Sequence, residues 1–205
     1  MTDTSVRSEI LPPLVIVGGF FPLPIPMPLG KAERFFRQRG REVWIVPHSF
    51  RSMRDIRRRS DLTEKTLREV LERTGNDKVD ILAYSMGGIA ALRVLQRSDL
   101  AAKIRTFVTY STPYLGTITP LGFLLTGYFA NMAIQLLPGS EILTEVTAAG
   151  LPAGPRYVSV GGTKDWTCPA KHALFPGAEH ALCAHDHLDF LTNEHVCAFL
   201  ESYLR

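Results

Sequence analysis

The sequence predicts an α/β fold: a mostly parallel central sheet of about six strands, helices on both faces, and an apolar cap segment around 117–151. Three observations predict it. Short apolar, β-branched runs alternate with longer segments of helical periodicity. Glycine or proline marks many of the junctions between them. The strand runs are apolar on both faces, as strands covered by helices on each side must be. The chain has 205 residues, 45% apolar and 21% charged, enough to bury a core as one domain spanning 1–205.

The elements follow in order. Residues 14–17 read as a strand closed by Gly18-Gly19. Residues 29–39 place Ala32, Phe35 and Phe36 on one helical face and stop at Gly40. Residues 42–46 form a strand ended by Pro47. Ser60 or Asp61 caps the next helix, with Glu64 placed for a capping box, apolar Leu62, Leu67, Val70 and Leu71, and a stop at Gly75. Residues 79–84 read as a strand, 86–96 as a helix and 104–110 as a strand. Residues 156–160 and 179–183 give two more strands, and 193–204 the last helix. Between them the pattern breaks. No charged residue occurs from Thr106 to Ser140, and 118–137 is strongly apolar. A membrane span needs about 20 such residues. Pro120, Gly122, Gly127, Asn131, Gln135 and Pro138 argue instead for short, broken helices.

Charge and cysteine narrow the function classes. Net charge is +3, and no aromatic interleaving accompanies the basic residues, so nucleic acid is not an expected partner. The charge is uneven: 31–59 holds Lys31 and nine arginines against Glu33, Glu42 and Asp55. That segment reads as a solvated face, with attraction to an anionic surface or substrate as the sharper reading. Cys168, Cys183 and Cys197 are too few and odd in number for a disulfide framework, although a Cys168–Cys183 pair is an alternative. The first nine residues are polar and show no signal core, which fits a cytoplasmic protein.

The chemistry centres on Ala83-Tyr84-Ser85-Met86-Gly87, where a strand passes at once into a helix. Such a turn exposes a serine hydroxyl, and small residues two before and two after it let strand and helix backbones approach. A serine needs a base to take its proton and an acid to orient that base. Partners should lie just after later strands, because open parallel sheets collect function at strand carboxyl ends. Asp165 follows the 156–160 strand through Gly161-Gly162-Thr163-Lys164. His187 lies in the loop before the last helix and is preferred over His185 on placement and chain order. Backbone N–H groups of Met86 and of Phe20, after Gly18-Gly19, are the expected oxyanion donors.

With these residues in place, the chain resembles the α/β-hydrolase superfamily, particularly small bacterial lipases and esterases. Val17-Gly18-Gly19-Phe20 resembles their oxyanion segment, with Gly18 where lipases usually carry histidine. Residues 83–88 resemble the nucleophile elbow, with alanine in place of the usual first glycine. Residues 111–117 resemble the lipase segment after the next strand, with Tyr114 replacing its histidine. Asp165 through Pro169 and His187 through Leu191 resemble the acid and histidine loops. The resemblance implies ester or thioester hydrolysis by Ser85, Asp165 and His187 through an acyl-enzyme, with no metal and no organic cofactor. Residues 118–151 would then cap the site. Tyr114, Leu121, Leu124, Leu125, Tyr128 and Phe129 would line an acyl pocket or meet a lipid interface. Phe21 and the proline-rich loop 22–28 would form the opposite wall.

Three rival readings have distinct signatures. His185-Asp186-His187-Leu188-Asp189 has a metal-ligand spacing known from metallo-β-lactamase-like enzymes, but Phe190 follows where those continue with histidine. An acyltransferase or thioesterase would use the same triad. A non-catalytic binding protein could keep the fold alone.

Overall fold

The computed structural model describes residues 11–21, 28–48 and 51–205, with backbone only for 123–126. Six strands make one sheet: β1 (Leu14–Val17), β2 (Val43–Ile45), β3 (Val79–Tyr84), β4 (Ile104–Tyr110), β5 (Arg156–Gly162) and β6 (Glu179–Cys183). Their order is β2-β1-β3-β4-β5-β6, and every adjacent pair is parallel. The chain runs outward from β1 to β2, then returns past β1 to β3. That reversal opens a crevice between the carboxyl ends of β1 and β3.

The two-residue period of a strand sends alternate side chains to opposite faces. In β1, Val15 and Val17 enter one core, and Leu14 and Ile16 the other. The first core lies under α2 (Ile56–Thr74), α3 (Met86–Arg97) and α5 (Glu141–Ala149), through Leu67, Val70, Ile89, Leu92 and Val146. The second lies under α1 (Gly30–Gln38), α7 (Asp189–Thr192) and α8 (Glu194–Glu201), through Phe35, Phe36, Phe190, Val196 and Leu200. Helices therefore cover both faces, as the apolar strand runs require.

Some boundaries differ from expectation. Helix α2 starts at Ile56, not at Ser60 or Asp61. Asp55 is its N-cap and accepts a 2.7 Å hydrogen bond from the Arg57 amide. Ser60 is buried inside the helix and donates to the Ile56 carbonyl at 3.0 Å, while Glu64 pairs with Arg68. Three consecutive arginines hid this first turn from an apolar-period reading. The last helix, expected over 193–204, is α8, which Asn193 caps through the His195 amide, and a further short helix, α7, precedes it in the histidine loop.

The uncharged segment contains a 3₁₀ stretch (Thr119–Thr126) and helix α4 (Ala130–Gln135), and α5 follows it; a short α6 (Ala170–Ala173) comes after β5. Among the described residues, no helix is long and apolar enough to cross a membrane. The uncharged segment's polar residues tie it to the start of α2. The Gln135 side chain accepts from the Ile56 amide at 2.8 Å and donates to Asp55 at 3.2 Å, and Asn131 donates to Asp55 at 3.1 Å. Cys168, Cys183 and Cys197 are free and buried, so the alternative pairing of the first two is absent.

Candidate active site

Ser85 sits between β3 and α3 with φ 54° and ψ −132°, a conformation that a β-carbon disfavours. Close backbone approach enforces it. A β-carbon on Gly87 would collide with the Val17 and Gly18 carbonyl oxygens, and one on Gly88 with Thr112. A β-carbon on Gly19 would lie 2.7 Å from that of Ser85. The first loop therefore runs directly over the serine. Met86 opens α3, so its N–H has no intrahelical acceptor and lies at the positive end of the helix.

Asp165 reaches the site from the loop after β5. One carboxylate oxygen accepts from the Cys168 amide at 2.7 Å. The other lies 2.7 Å from Nδ1 of His187, whose Nε2 lies 3.0 Å from the Ser85 hydroxyl. Burial pushes the Asp165 carboxyl up. The hydrogen bond and charge of His187, together with the Cys168 amide, outweigh burial and hold it below the usual carboxylate range. The His187 ring lies 5.0 Å from that of Tyr84, and Tyr84 lies 5.1 Å from Phe190. Apolar rings thus fix the imidazole from behind. The acid and histidine loops are stitched by main-chain bonds, Thr163 N–H to Cys183 and Lys164 N–H to His185. The Tyr110 hydroxyl adds a 2.7 Å bond to the Asp186 carbonyl.

His185 goes elsewhere. Its Nδ1 lies 3.1 Å from Asp189, which also accepts from the Asp186 amide. The five-residue His-x-His-x-Asp run is therefore divided between two networks. Among the described residues, no group of three histidine, cysteine or acidic side chains could hold a metal ion.

Ser85 and His187 open onto a cleft of about 190 Å³. Phe20, Phe21, Pro120, Leu136, Leu188 and Leu191 form its apolar wall, and Thr117, Thr119 and Thr167 its polar edge. The expected lining residues divide. Phe21 lies in the wall. Phe129 stands behind Phe20, ring centres 5.1 Å apart, and Tyr128 stands behind Phe129 at 5.0 Å. Leu121 is exposed and outside the lining. Tyr114, expected at the substrate, is instead buried with its ring edge-on to Phe175 at 4.8 Å. Both rings belong to the first core, so Tyr114 packs there and does not face the cleft. The side chains of Leu124 and Leu125, and residues 22–27, lie outside the described residues. Sequence reading missed Leu188, Leu191 and Thr167; each adjoins or lies near a predicted triad position, and that adjacency was the available signal.

The sequence model of the lecithin:cholesterol acyltransferase family matches residues 33–183. The chain belongs to that family. Its fold is that of lipase- and esterase-like α/β hydrolases. The mature lipase BlEst2 of Bacillus licheniformis superposes with a TM-score of 0.77 at 15% identity, over 96% of this chain and 93% of that one. Aspergillus fumigatus lipase B gives 0.75 at 14% identity, over 97% and 53%. The α/β hydrolase MGS-MChE2, from a metagenome of Mar Chica lagoon sediments, Morocco, gives 0.66 at 18% identity, over 94% and 90%. No curated protein sequence matches the chain. Identities this low carry the fold, and the family match adds membership.

Proposed function

We propose that the protein is a serine hydrolase of carboxylic esters, acting on acyl or lipid esters through an acyl-enzyme. One observation carries the reading: the unbroken chain from Asp165 through His187 to Ser85, at 2.7 and 3.0 Å. In this reading His187 takes the Ser85 proton as Oγ attacks the ester carbonyl. Asp165 holds the imidazole tautomer and stabilises the imidazolium. The Met86 and Phe20 N–H groups receive the oxyanion. The tetrahedral intermediate collapses, His187 protonates the departing alcohol, and water repeats the sequence to release the acid. Each atom in these steps comes from this chain, the ester or water, so the reading calls on no metal and no cofactor.

The cleft is lined mainly by apolar side chains, which suits an acyl group. In the same reading 1–205 is one domain, and of the expected cap 117–151 the part that borders the cleft runs through Thr117, Thr119, Pro120 and Leu136, while α5 covers the first core. Exposed Ile118, Trp166 and Leu188 beside the cleft are suited to transient contact with a lipid surface. The name of the matching family favours a second reading, acyl transfer, in which an alcohol replaces water in the second half-reaction.

The test is turnover of p-nitrophenyl esters of rising chain length by wild type and Ser85→Ala. The expected outcome is hydrolysis sustained beyond acetate, with activity lost in the variant. Substantial turnover by Ser85→Ala sinks the reading. An added alcohol that diverts the acyl group to a new ester at water's expense selects the transferase form.

A further inference from the structure

Two arginines of the basic 31–59 segment are buried, and their partners differ. Arg41 meets Asp80. Arg59, on the buried side of α2, is 1% exposed and meets no carboxylate among the described residues. Its Nη1 donates to the Pro47 carbonyl at 2.7 Å and its Nη2 to the Gly18 carbonyl at 3.3 Å, while Nε has no partner. A cation held only by carbonyl oxygens is poorly compensated, and burial pushes its pKa down to about 10. It stays protonated at neutral pH, at a cost in stability that a packed apolar residue would avoid.

What Arg59 holds is the start of the loop over Ser85. The β1–β2 ladder ends with the Val46 amide on the Ile16 carbonyl at 3.0 Å. Beyond it the ladder stops, and Arg59 bridges the Gly18 and Pro47 carbonyls. The Gly18 carbonyl is wedged: a β-carbon on Gly87 would lie 2.6 Å from its oxygen. That close packing leaves little room for another donor on the Gly87 side, and Arg59 supplies one. One residue on, Gly19 touches Ser85, and the next amide is that of Phe20. Rotation of the 18–19 peptide would move that amide.

We propose that Arg59 is a positioning residue of the oxyanion loop: by holding the Gly18 carbonyl away from the cleft, it aims the Phe20 N–H at the oxyanion. This rests on the serine-hydrolase reading. Losing an oxyanion donor outright costs about 100–1000-fold in turnover. A donor displaced but not removed should cost less, about 10–100-fold.

The experiment compares wild type, Arg59→Met and Arg59→Lys, each at a temperature where circular dichroism shows it folded. Arg59→Met should lower kcat for a short ester by about 10–100-fold with KM within about threefold, the signature of a contact made only in the transition state. Affinity for a trifluoromethyl ketone, to whose carbonyl Ser85 Oγ adds to give a hemiketal oxyanion, should fall by the same factor. Arg59→Lys, with one ammonium for two carbonyls, should lie between. Wild-type kcat and ketone affinity in a folded Arg59→Met overturn the proposal, as does a change confined to KM or to thermal stability. If Arg59→Met does not fold, Arg59→Lys decides: a several-fold kcat loss supports the assignment and an unchanged kcat ends it. Ser85→Ala assayed beside them separates the failures. Activity retained there removes the underlying reading, whereas activity lost there but intact in Arg59→Met removes only the role of Arg59.

Discussion

Asp165 and Asp80 are the same residue type, both with fully buried side chains, at opposite ends of one sheet. At the amino end, Asp80 accepts from Arg41 at 2.6 Å, twice from Arg105 at 2.5 and 2.9 Å, and from the Thr106 amide at 3.1 Å. Both arginines also donate to the Leu204 carbonyl, which pins the chain end to the sheet. At the carboxyl end, Asp165 meets an imidazole whose other nitrogen faces a serine. Arginine does not give up its proton to a carboxylate, so it can only hold Asp80 in place. Histidine can accept and release a proton, so the Asp165 network can pass one on. A buried carboxylate is therefore not a sign of catalysis by itself. Its partner decides.

The comparison can be broken at either end. Asp165→Asn should produce the largest effect, a fall of about 10⁴-fold in kcat, because the wrong imidazole tautomer is then favoured. Its thermal midpoint should move far less than its activity. Asp80→Asn should do the reverse. It leaves two arginines without their carboxylate and should cost about 3–5 kcal/mol in urea unfolding, with activity per folded molecule nearly unchanged. Equal activity losses in the two variants would erase the distinction.

Gly19→Ala tests the backbone frame at the reactive end. Its β-carbon would meet that of Ser85 at 2.7 Å, so the loop must shift and turnover should drop by about tenfold or more. Ester kinetics on folded protein measure this. Acid unfolding sharpens the contrast further. The Asp165 pKa is lowered by folding, so its stabilising contribution is complete above the unfolded value of about 3.9. It is lost as pH falls through the folded value. The stability difference between wild type and Asp165→Asn should shrink as pH falls below about 4. Smallest is Asp55→Ala, which removes the α2 cap and the anchor of Asn131 and Gln135. It should cost about 1–2 kcal/mol with little change in kcat.

The sheet and the residues that meet at Ser85 were legible because each leaves a local mark. Buried parallel strands demand apolar runs, and the turn at Ser85 demands small neighbours at 83 and 87. Loop placement and chain order favoured His187 over His185, and it is the His187 ring that lies 3.0 Å from Ser85 while His185 meets Asp189. What was not legible depended on direction and distance. Tyr114 follows β4, where a substrate residue is expected, but its ring turns into the core against Phe175. Arg59 looked like one more solvated cation in a basic run, and only the tertiary packing of α2 places it under Gly18. The true start of α2 was hidden because Asp55 is followed by polar residues that show no apolar period.

The most direct test of the central claim is covalent. Wild-type protein is incubated with a fluorophosphonate probe and the modified residue is mapped by mass spectrometry. The account predicts a single adduct on Ser85, absent in Ser85→Ala and formed far more slowly in His187→Ala. No adduct on the folded protein, or labelling undiminished in His187→Ala, would contradict it.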